Sequence, residues 1–270
     1  MNILRKIYRR VRMEVSRIRT PKHARTLRHL HVQGFEMLAF ANEDVGRQIW
    51  LFGTFEPDET NFFRSLIRPD DICFDIGGNV GYFSMLMAKC AADGEVHVFE
   101  PIPLNAALIR TNAELNGFVN LVVNQGAVGR SEGITNFSVS TDSAYSSMRA
   151  TGRFAETKSI EVPLFTLDAY VTKHGIKRID VIKVDVEGAE DMVLEGGTKL
   201  LGNPACRPRI ILLELFDENL LPFGTCVGKV IDRMATFGYR PQALENGGFR
   251  LIDYKPEMAK RFYNIIFCPD

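Results

Sequence analysis

The segment from Asp75 to Gly81 (DIGGNVG) constrains the fold of this 270-residue chain more than any other. It follows a short apolar run, residues 72–74, and precedes an apolar segment, Tyr82 to Ala88. This order predicts a strand, a tight turn and the start of a helix, since glycine lets the backbone bend sharply and approach a ligand closely. A second apolar run, Val96 to Phe99, ends in Glu100, and an acid at this spacing can bind both hydroxyl groups of a ribose. Together the two features predict a nucleoside-binding half-domain.

Strand and helix patterns alternate along most of the chain after residue 71. Apolar runs predict strands at Ile72–Phe74, Glu95–Phe99, Val119–Val123, Asp180–Val184, Arg209–Leu215, Tyr239–Leu244 and Tyr263–Cys268. Helices are predicted at Tyr82–Lys89, Pro101–Leu115, Leu167–His174, Glu190–Leu201 and Gly228–Phe237. Two segments with period-two patterns, Ile134–Ser140 and Lys158–Leu164, predict an antiparallel insertion. The alternation is typical of a Rossmann-like α/β fold, a mostly parallel sheet with helices on both faces.

The first 30 residues, which we call the basic arm, differ in charge from the rest of the chain. They contain ten Lys or Arg residues and one acid, although the whole chain has a net charge of zero. Apolar positions recur at helical spacing over residues 2–19, which predicts an amphipathic helix. Such a helix can lie on the inner face of an anionic membrane as a peripheral contact. It can also bind nucleic acid or pack on the main domain with a solvated basic face.

Residues 31–69 are predicted to form a cover segment beside the ligand site. Two short apolar runs, Val32–Phe40 and Gln48–Phe52, flank a polar stretch and predict a small hairpin. A helix, Pro57–Leu66, follows with acids in its first turn. Residues 70–270 then form the nucleoside-binding domain.

Cysteine usage and hydropathy predict a cytoplasmic protein. The five cysteines are scattered, with no CxxC pair and no zinc-like spacing, which is typical of reduced thiols. No apolar run approaches the roughly 20 residues needed to cross a bilayer. The chain beyond the basic arm is net acidic, which argues against a nucleic-acid substrate because phosphate contacts need a basic surface.

The glycine turn differs from the GxGxxG motif that cradles a pyrophosphate. Its leading residue is an aspartate, and a carboxylate suits a cationic ligand better than a phosphate. S-adenosylmethionine carries a sulfonium and an amino group and no phosphate, so it is the favoured cofactor. The residues expected at its methionine end are Asp75, Gly77, Gly78, Asn79 and Gly81, with Tyr82 and Phe83 beside them.

Two other functions remain open at this point. An NAD(P)-linked oxidoreductase would bind its dinucleotide at the same turn, although Asp75 and Asn79 argue against that cofactor. A membrane-surface binding module with a vestigial cofactor site would depend on the basic arm.

The rest of the cofactor is expected to lie against the next two strand ends. Glu100 is predicted to face the ribose, with Pro101 starting a helix where its missing N–H has no consequence. Gly126 and Ala127 are small enough to let an adenine lie against the backbone.

Acids follow four of the predicted strands, and the carboxyl ends of parallel strands meet at one edge of the sheet, where ligands bind. Asp75, Glu100, Asp185 and Glu214 should therefore converge there. Asp185 is also expected to contact the cofactor. The candidates for catalysis are Asp185, Glu187, Lys183 and Glu214, because buried ionisable groups at a strand end can act as bases. A divalent metal bridging Asp185, Glu187 and the substrate is an open alternative, and no residue is assigned as a metal ligand.

Two further groups of polar residues have simpler expected roles. Glu190 falls in the first turn of a helix, where the helix dipole favours an acid. Ser143, Tyr145, Ser146 and Ser147 cluster in the insertion, where they either line an acceptor pocket or form ordinary turns.

Three blocks resemble the FkbM family of S-adenosylmethionine-dependent methyltransferases: residues 75–81, Phe99-Glu100-Pro101 and residues 182–190 (IKVDVEGAE). The resemblance runs from about Gly53 to Pro269 and leaves the basic arm outside. It implies a class I methyltransferase fold, a seven-stranded sheet whose last strand is antiparallel. It also implies methylation of a hydroxyl on a sugar, glycan, lipid or natural-product acceptor. One departure, Gly78 where alanine is commoner, is expected to be harmless. The resemblance does not specify the acceptor or the oligomeric state.

Overall fold

The computed structural model describes residues 26–148, 156–244, 251–255, 258 and 263–270. The amphipathic helix predicted over residues 2–19 lies outside the described residues, and the membrane contact predicted for it stays a prediction. No helix in the described part of the chain is long and apolar enough to span a bilayer.

The described residues form an α/β structure built on one large sheet. Its strands and those of two smaller sheets are β1 (Leu27–Val32), β2 (Phe35–Phe40), β3 (Ile72–Ile76), β4 (Glu95–Phe99), β5 (Leu121–Asn124), β6 (Ala127–Val128), β7 (Gly133–Ser140), β8 (Glu156–Phe165), β9 (Val181–Val184), β10 (Ile210–Glu214), β11 (Tyr239–Leu244), β12 (Leu251–Asp253) and β13 (Asn264–Pro269). The helices are α1 (Asp44–Phe52), α2 (Pro57–Leu66), α3 (Tyr82–Cys90), α4 (Pro103–Asn116), α5 (Leu167–His174), α6 (Glu190–Glu195), α7 (Thr198–Leu201), α8 (Asp217–Leu220) and α9 (Val227–Thr236).

The large sheet confirms the Rossmann-like fold. Its strand order is β5-β4-β3-β9-β10-β13-β11-β12, and β13 runs antiparallel to both of its neighbours. Seven of these strands match the predicted seven-stranded sheet with its antiparallel last strand. Among the described residues the sheet gains an eighth, short edge strand, β12, which pairs with β11. The strand order reverses between β3 and β9, which is where ligands bind in sheets of this type.

Residues of the central strands pack alternately into two cores. Cys73, Val181 and Leu212 belong to one cluster of buried side chains, and Phe74 and Ile182 to the other. Both faces of these strands are therefore covered, which explains why their sequences are continuous apolar runs rather than alternating ones. The insertion is confirmed as an antiparallel pair, β7 with β8.

Three predicted elements are wrong in detail. The hairpin is formed by β1 and β2, because Gln33 and Gly34 have positive φ values of 51° and 76° and make a two-residue turn inside the predicted strand. The second run, Gln48–Phe52, is part of α1, and β1 already begins within the last residues of the basic arm. The helix predicted at Pro101 begins at Pro103. The helix predicted over residues 190–201 is divided into α6 and α7 at the pair Gly196–Gly197.

The hairpin is fastened to the sheet by Asn112, a fully buried residue of α4. Its Oδ1 accepts a hydrogen bond from the Leu38 backbone N–H at 2.7 Å. Its Nδ2 donates to the carbonyl oxygens of Leu38 and Val80, each at 3.1 Å. One side chain thus joins the cover segment to the glycine turn.

We expect Asn112→Ala to lower the free energy of unfolding by about 2–3 kcal/mol, since it leaves buried backbone groups unpaired. Urea unfolding followed by circular dichroism measures the loss. Thr111→Ala, at the exposed neighbouring position, is the control and should change the stability little. Similar losses in the two variants would show that Asn112 does not fasten the hairpin.

Candidate functional site

A cleft lies at the carboxyl ends of the central strands and opens to solvent; the space inside it, counted together with the solvent at its mouth, is about 1100 Å³. The structure brings nearly all of the predicted site residues to its wall: Asp75, Gly77, Gly78, Asn79, Tyr82, Phe83, Glu100, Pro101, Gly126, Ala127, Lys183, Asp185, Glu187 and Glu214. Gly81 does not line the cleft. It lies against Ile109 of α4, and a Cβ at position 81 would be 3.0 Å from the Ile109 side chain.

The glycine turn approaches other backbone segments so closely that side chains would not fit. Gly77 has φ +89°, and a Cβ there would lie 1.8 Å from the carbonyl oxygen of Asp185. The N–H groups of Gly77 and Gly78 both donate to the Phe99 carbonyl oxygen, at 2.9 and 3.1 Å. A Cβ at Gly78 would lie 2.4 Å from a methyl group of Val98. The glycine at 78 therefore leaves room for this valine.

Asp75 has a buried carboxylate oxygen that lacks a partner. The residue is 1% exposed, and its Oδ2 accepts a hydrogen bond of 2.5 Å from the Ser84 hydroxyl. Its Oδ1 is buried with no hydrogen-bond partner among the described residues. Burial raises the pKa of the Asp75 carboxyl. An unpaired buried oxygen costs free energy unless a ligand satisfies it, so this atom marks the wall of the cleft as a binding surface.

Glu100 fixes the turn from the neighbouring strand. Its two carboxylate oxygens accept hydrogen bonds from the backbone N–H groups of Asn79 and Ile102, both at 2.8 Å. Burial raises the pKa of Glu100 to about 8. The carboxyl group therefore joins the glycine turn to the segment that precedes α4.

Gly126 is small for a reason other than the one predicted. A Cβ at this position would lie 2.7 Å from the Pro163 carbonyl oxygen and 2.6 Å from the Phe165 ring. Close packing against β8 therefore requires glycine there. Gly126 and Ala127 still line the cleft, as expected for residues next to an adenine.

Lys183 and Asp185 form a buried ion pair on the central strand β9 and the loop after it. The Lys183 ammonium is 3% exposed and donates to Asp185 Oδ2 at 2.8 Å. Burial alone would lower the pKa of Lys183, but the carboxylates of Asp185, Asp75 and Glu56 raise it above its ordinary value. The lysine therefore stays charged at neutral pH.

Glu187 and Glu214 complete an acidic group with Asp185. Ligand oxygens of these three carboxyls lie within 4.8 Å of one another. Burial, followed by repulsion from Asp185 and Glu187, raises the pKa of Glu214 well above its usual range. Glu187 Oε2 accepts a 2.6 Å hydrogen bond from the Asn219 side chain. Carboxylates in this arrangement can hold a proton or a divalent cation.

Sequence reasoning placed the cover segment beside the ligand site but named none of the residues that it supplies to the cleft. Asp44, Val45 and Gln48 of α1 line it, together with Phe55 and Glu56 of the loop before α2. The strand-end rule could not find them because they lie outside the large sheet. The signal that was available is the pair of acids, at 44 and 56, bordering an apolar helical run.

Three of the four residues of the polar cluster in the insertion lie at the cleft. Ser143, Tyr145 and Ser146 line the cleft. Ser147 does not line it, and its hydroxyl donates to the Glu187 carbonyl oxygen at 2.8 Å. The insertion is therefore tied to the acidic loop that follows β9.

A family model described as the methyltransferase FkbM domain matches residues 75–251. Among curated proteins, the chain is 30% identical to the 31-O-demethyl-FK506 methyltransferase FkbM of Streptomyces tacrolimicus, over 48% of this chain and 60% of that protein. It is 26% identical to the 2-O-methyltransferase NoeI of Sinorhizobium fredii, over 64% and 74% of the two chains. It is also 26% identical to the hexuronic acid methyltransferase AglP of Haloferax volcanii, over 54% and 58%. The matches to FkbM and AglP span less than two thirds of those relatives.

We expect Gly77→Ala to destabilise the fold more than Gly117→Ala. Both glycines have positive φ, at 89° and 66°, but no atom lies within 4 Å of a Cβ at Gly117. The Gly117 variant should therefore lose only the left-handed backbone cost of about 1–2 kcal/mol. The Gly77 variant should lose about 1–3 kcal/mol more because its methyl group overlaps the Asp185 backbone. Chemical denaturation of the two variants measures the difference, and equal losses would contradict the close approach of the turn to Asp185.

Proposed function

Because the chain belongs to the methyltransferase FkbM domain family, we propose that this methyltransferase uses S-adenosylmethionine to methylate a hydroxyl group on a sugar or another small-molecule acceptor. The names of its relatives support this acceptor class, since they include two O-methyltransferases and a hexuronic acid methyltransferase. The observation that carries the proposal is the unpaired, buried Oδ1 of Asp75 in a cleft next to the glycine turn.

The cleft fits a cationic nucleoside better than a dinucleotide. When bound, S-adenosylmethionine supplies an electrophilic methyl group on a positively charged sulfur. Its amino and sulfonium groups complement Asp75, whereas the pyrophosphate of NAD would face that carboxyl group. This argues against an NAD(P)-linked oxidoreductase.

Each part of the predicted cofactor site has a role in this proposal. Asp75 with the turn residues Gly77, Gly78 and Asn79 holds the methionine end. Glu100 accepts hydrogen bonds from the ribose hydroxyls while its carboxylate keeps the turn in place. Gly81 shapes the turn. The other residues expected beside the cofactor are Tyr82, Phe83, Pro101, Gly126, Ala127 and Asp185.

Proton transfer is assigned to the acidic group rather than to the lysine. A hydroxyl is a weak nucleophile, so transfer of the methyl group from the sulfonium to its oxygen, with S-adenosylhomocysteine as the leaving group, would be faster when a base accepts the hydroxyl proton. Lys183 cannot accept a proton because its raised pKa keeps it charged. Asp185, which pairs with Lys183, is the proposed base, with Glu187 and Glu214 positioned to share or relay the proton. Residues of the cleft that hold the acceptor hydroxyl in line with the methyl group would supply much of the acceleration.

Calorimetric titration tests the cofactor assignment. We expect the protein to bind S-adenosylhomocysteine and not NAD. Glu100→Ala should weaken the binding by about 1–3 kcal/mol, because it removes charged hydrogen bonds and loosens the turn. A thermal unfolding curve of the variant separates loss of folding from loss of affinity. Binding of NAD without S-adenosylhomocysteine would overturn the cofactor proposal.

Asp185→Asn is expected to lower methyl transfer by about 100-fold or more and to change the dissociation constant of S-adenosylhomocysteine much less. Transfer of labelled methyl from S-adenosylmethionine to an extract of the source cells measures the first quantity. Asp93→Asn, an exposed acid that does not line the cleft, is the control. Equal losses of transfer and affinity would make Asp185 a binding residue and not the base.

A further inference from the structure

Ser84 holds one oxygen of the Asp75 carboxyl group from behind the cleft. It is the third residue of α3 and is fully buried. Its hydroxyl donates to Asp75 Oδ2 at 2.5 Å, a length typical of hydrogen bonds to an ionised carboxylate. The other oxygen, Oδ1, is buried with no hydrogen-bond partner among the described residues. The serine therefore fixes the orientation in which this second oxygen is available to a ligand.

The position of the Ser84 hydroxyl follows from the way the glycine turn leads into α3. Helical side chains point back towards the N-terminus of their helix, so the hydroxyl three residues after Gly81 reaches the end of β3, where Asp75 lies. The turn leaves space for it, since a Cβ at Gly78 would lie 3.3 Å from the Ser84 oxygen, closer than such contacts usually are. The glycine at position 78 therefore keeps the place of this hydroxyl open.

The charges around Asp75 do not replace this hydrogen bond. Burial raises the pKa of Asp75, while the field of Lys183 and the Ser84 hydroxyl lower it. Lys183 lies opposite Asp75 in the register of β3 and β9, but its ammonium donates to Asp185 Oδ2 at 2.8 Å. Asp185 and Glu100 are the acids whose charges oppose the ionisation of Asp75. Ser84 therefore supplies, by direct hydrogen bond, stabilisation of the ionised form that burial disfavours.

We infer that Ser84 is a positioning residue for the cofactor, and that its hydroxyl determines the pH range over which Asp75 binds the ammonium group of the cofactor. An ionised carboxylate attracts an ammonium group and accepts its hydrogen bonds, whereas a protonated carboxyl has lost that charge. Affinity therefore falls as the pH is lowered through the pKa of Asp75, and a donor that lowers this pKa extends binding to more acidic pH. Ser84 does not line the cleft, so it acts through Asp75. The inference rests on the proposed function, since it concerns the same cofactor site.

The test is the pH dependence of affinity for S-adenosylhomocysteine, which keeps the ammonium group. Calorimetric titrations of wild-type protein and Ser84→Ala are compared from mildly acidic to mildly alkaline pH. We expect Ser84→Ala to bind about tenfold more weakly at the acidic end, the scale of one lost hydrogen bond to a charged group. At the alkaline end, where Asp75 is ionised in both proteins, the affinities should agree to within about twofold. A site that is merely loosened would lose the same factor at every pH.

Ser140→Ala is the matched control. Ser140 is also buried, its hydroxyl donates to the Tyr145 carbonyl oxygen at 2.8 Å, and it does not line the cleft. This variant loses a buried serine hydrogen bond without touching a carboxyl group, so it should keep the wild-type pH dependence.

Two further variants test whether Ser84 acts through Asp75. In protein that carries Asp75→Asn, position 75 does not titrate, so adding Ser84→Ala should cause no further pH-dependent loss. Ser84→Cys keeps a similar shape with a weaker donor and should show a smaller loss of the same kind. It provides the comparison where thermal unfolding curves show that Ser84→Ala is not folded.

The outcomes separate the inference from the proposed function. Failure of wild-type protein to bind S-adenosylhomocysteine removes the proposed function itself. A loss in the folded Ser84 variant that is equal at every pH, or no loss at all, overturns the inference and leaves the cofactor proposal standing. A pH-dependent loss that persists in the Asp75→Asn background also overturns it, because Ser84 would then act through another group.

Discussion

The buried ammonium of Lys183 is the constraint on which the cleft depends. It lies on the central strand of the sheet, 3% exposed, and is charged only because the carboxylate of Asp185 is 2.8 Å away and those of Asp75 and Glu56 add to its field. Removing one partner of a buried pair costs about 3–5 kcal/mol, because the other charge is left uncompensated. The acids of the cleft and the lysine are therefore mutually dependent. The same group of charges stabilises the centre of the sheet and gives the cleft its polarity.

Some carboxyl groups at the strand ends hold the neighbouring loops in place, and some also line the cleft where a ligand would bind. Glu100 holds the glycine turn through the Asn79 N–H, and Glu190 accepts from the N–H groups of Val186 and Gly188, both at 3.2 Å. A capping role and a binding role are not exclusive, since an ionised carboxylate can accept about four hydrogen bonds. An acid after a strand can thus be needed for the loop and for the ligand at once. Glu190 lies in the first turn of α6, as predicted, and does not line the cleft.

The pattern of apolar residues predicted the large sheet well, because buried parallel strands are continuous apolar runs. The acids at the ends of these strands could be placed at one edge of the sheet from the strand direction alone. The pattern failed where a long-range contact decides the structure. The turn at Gln33–Gly34 divides an apolar run that reads as one strand. Gly126 is required by β8, some forty residues further along the chain. Glu56 lies at the cleft because the neighbouring Phe55 ring packs against Tyr82 and positions the loop. A contact of this kind leaves no periodic pattern in the sequence.

The cover segment and the insertion close the cleft as one unit. The Glu43 carboxylate accepts hydrogen bonds from Ser143, and Asp142 accepts from the Asp44 N–H at 2.9 Å. Segments about 100 residues apart are therefore joined across the opening, and both supply residues that line the cleft. The predicted cofactor contacts, by contrast, lie on turns of the large sheet. Substitutions in the joined segments are therefore expected to alter which acceptor fits, because these segments supply part of the cleft wall.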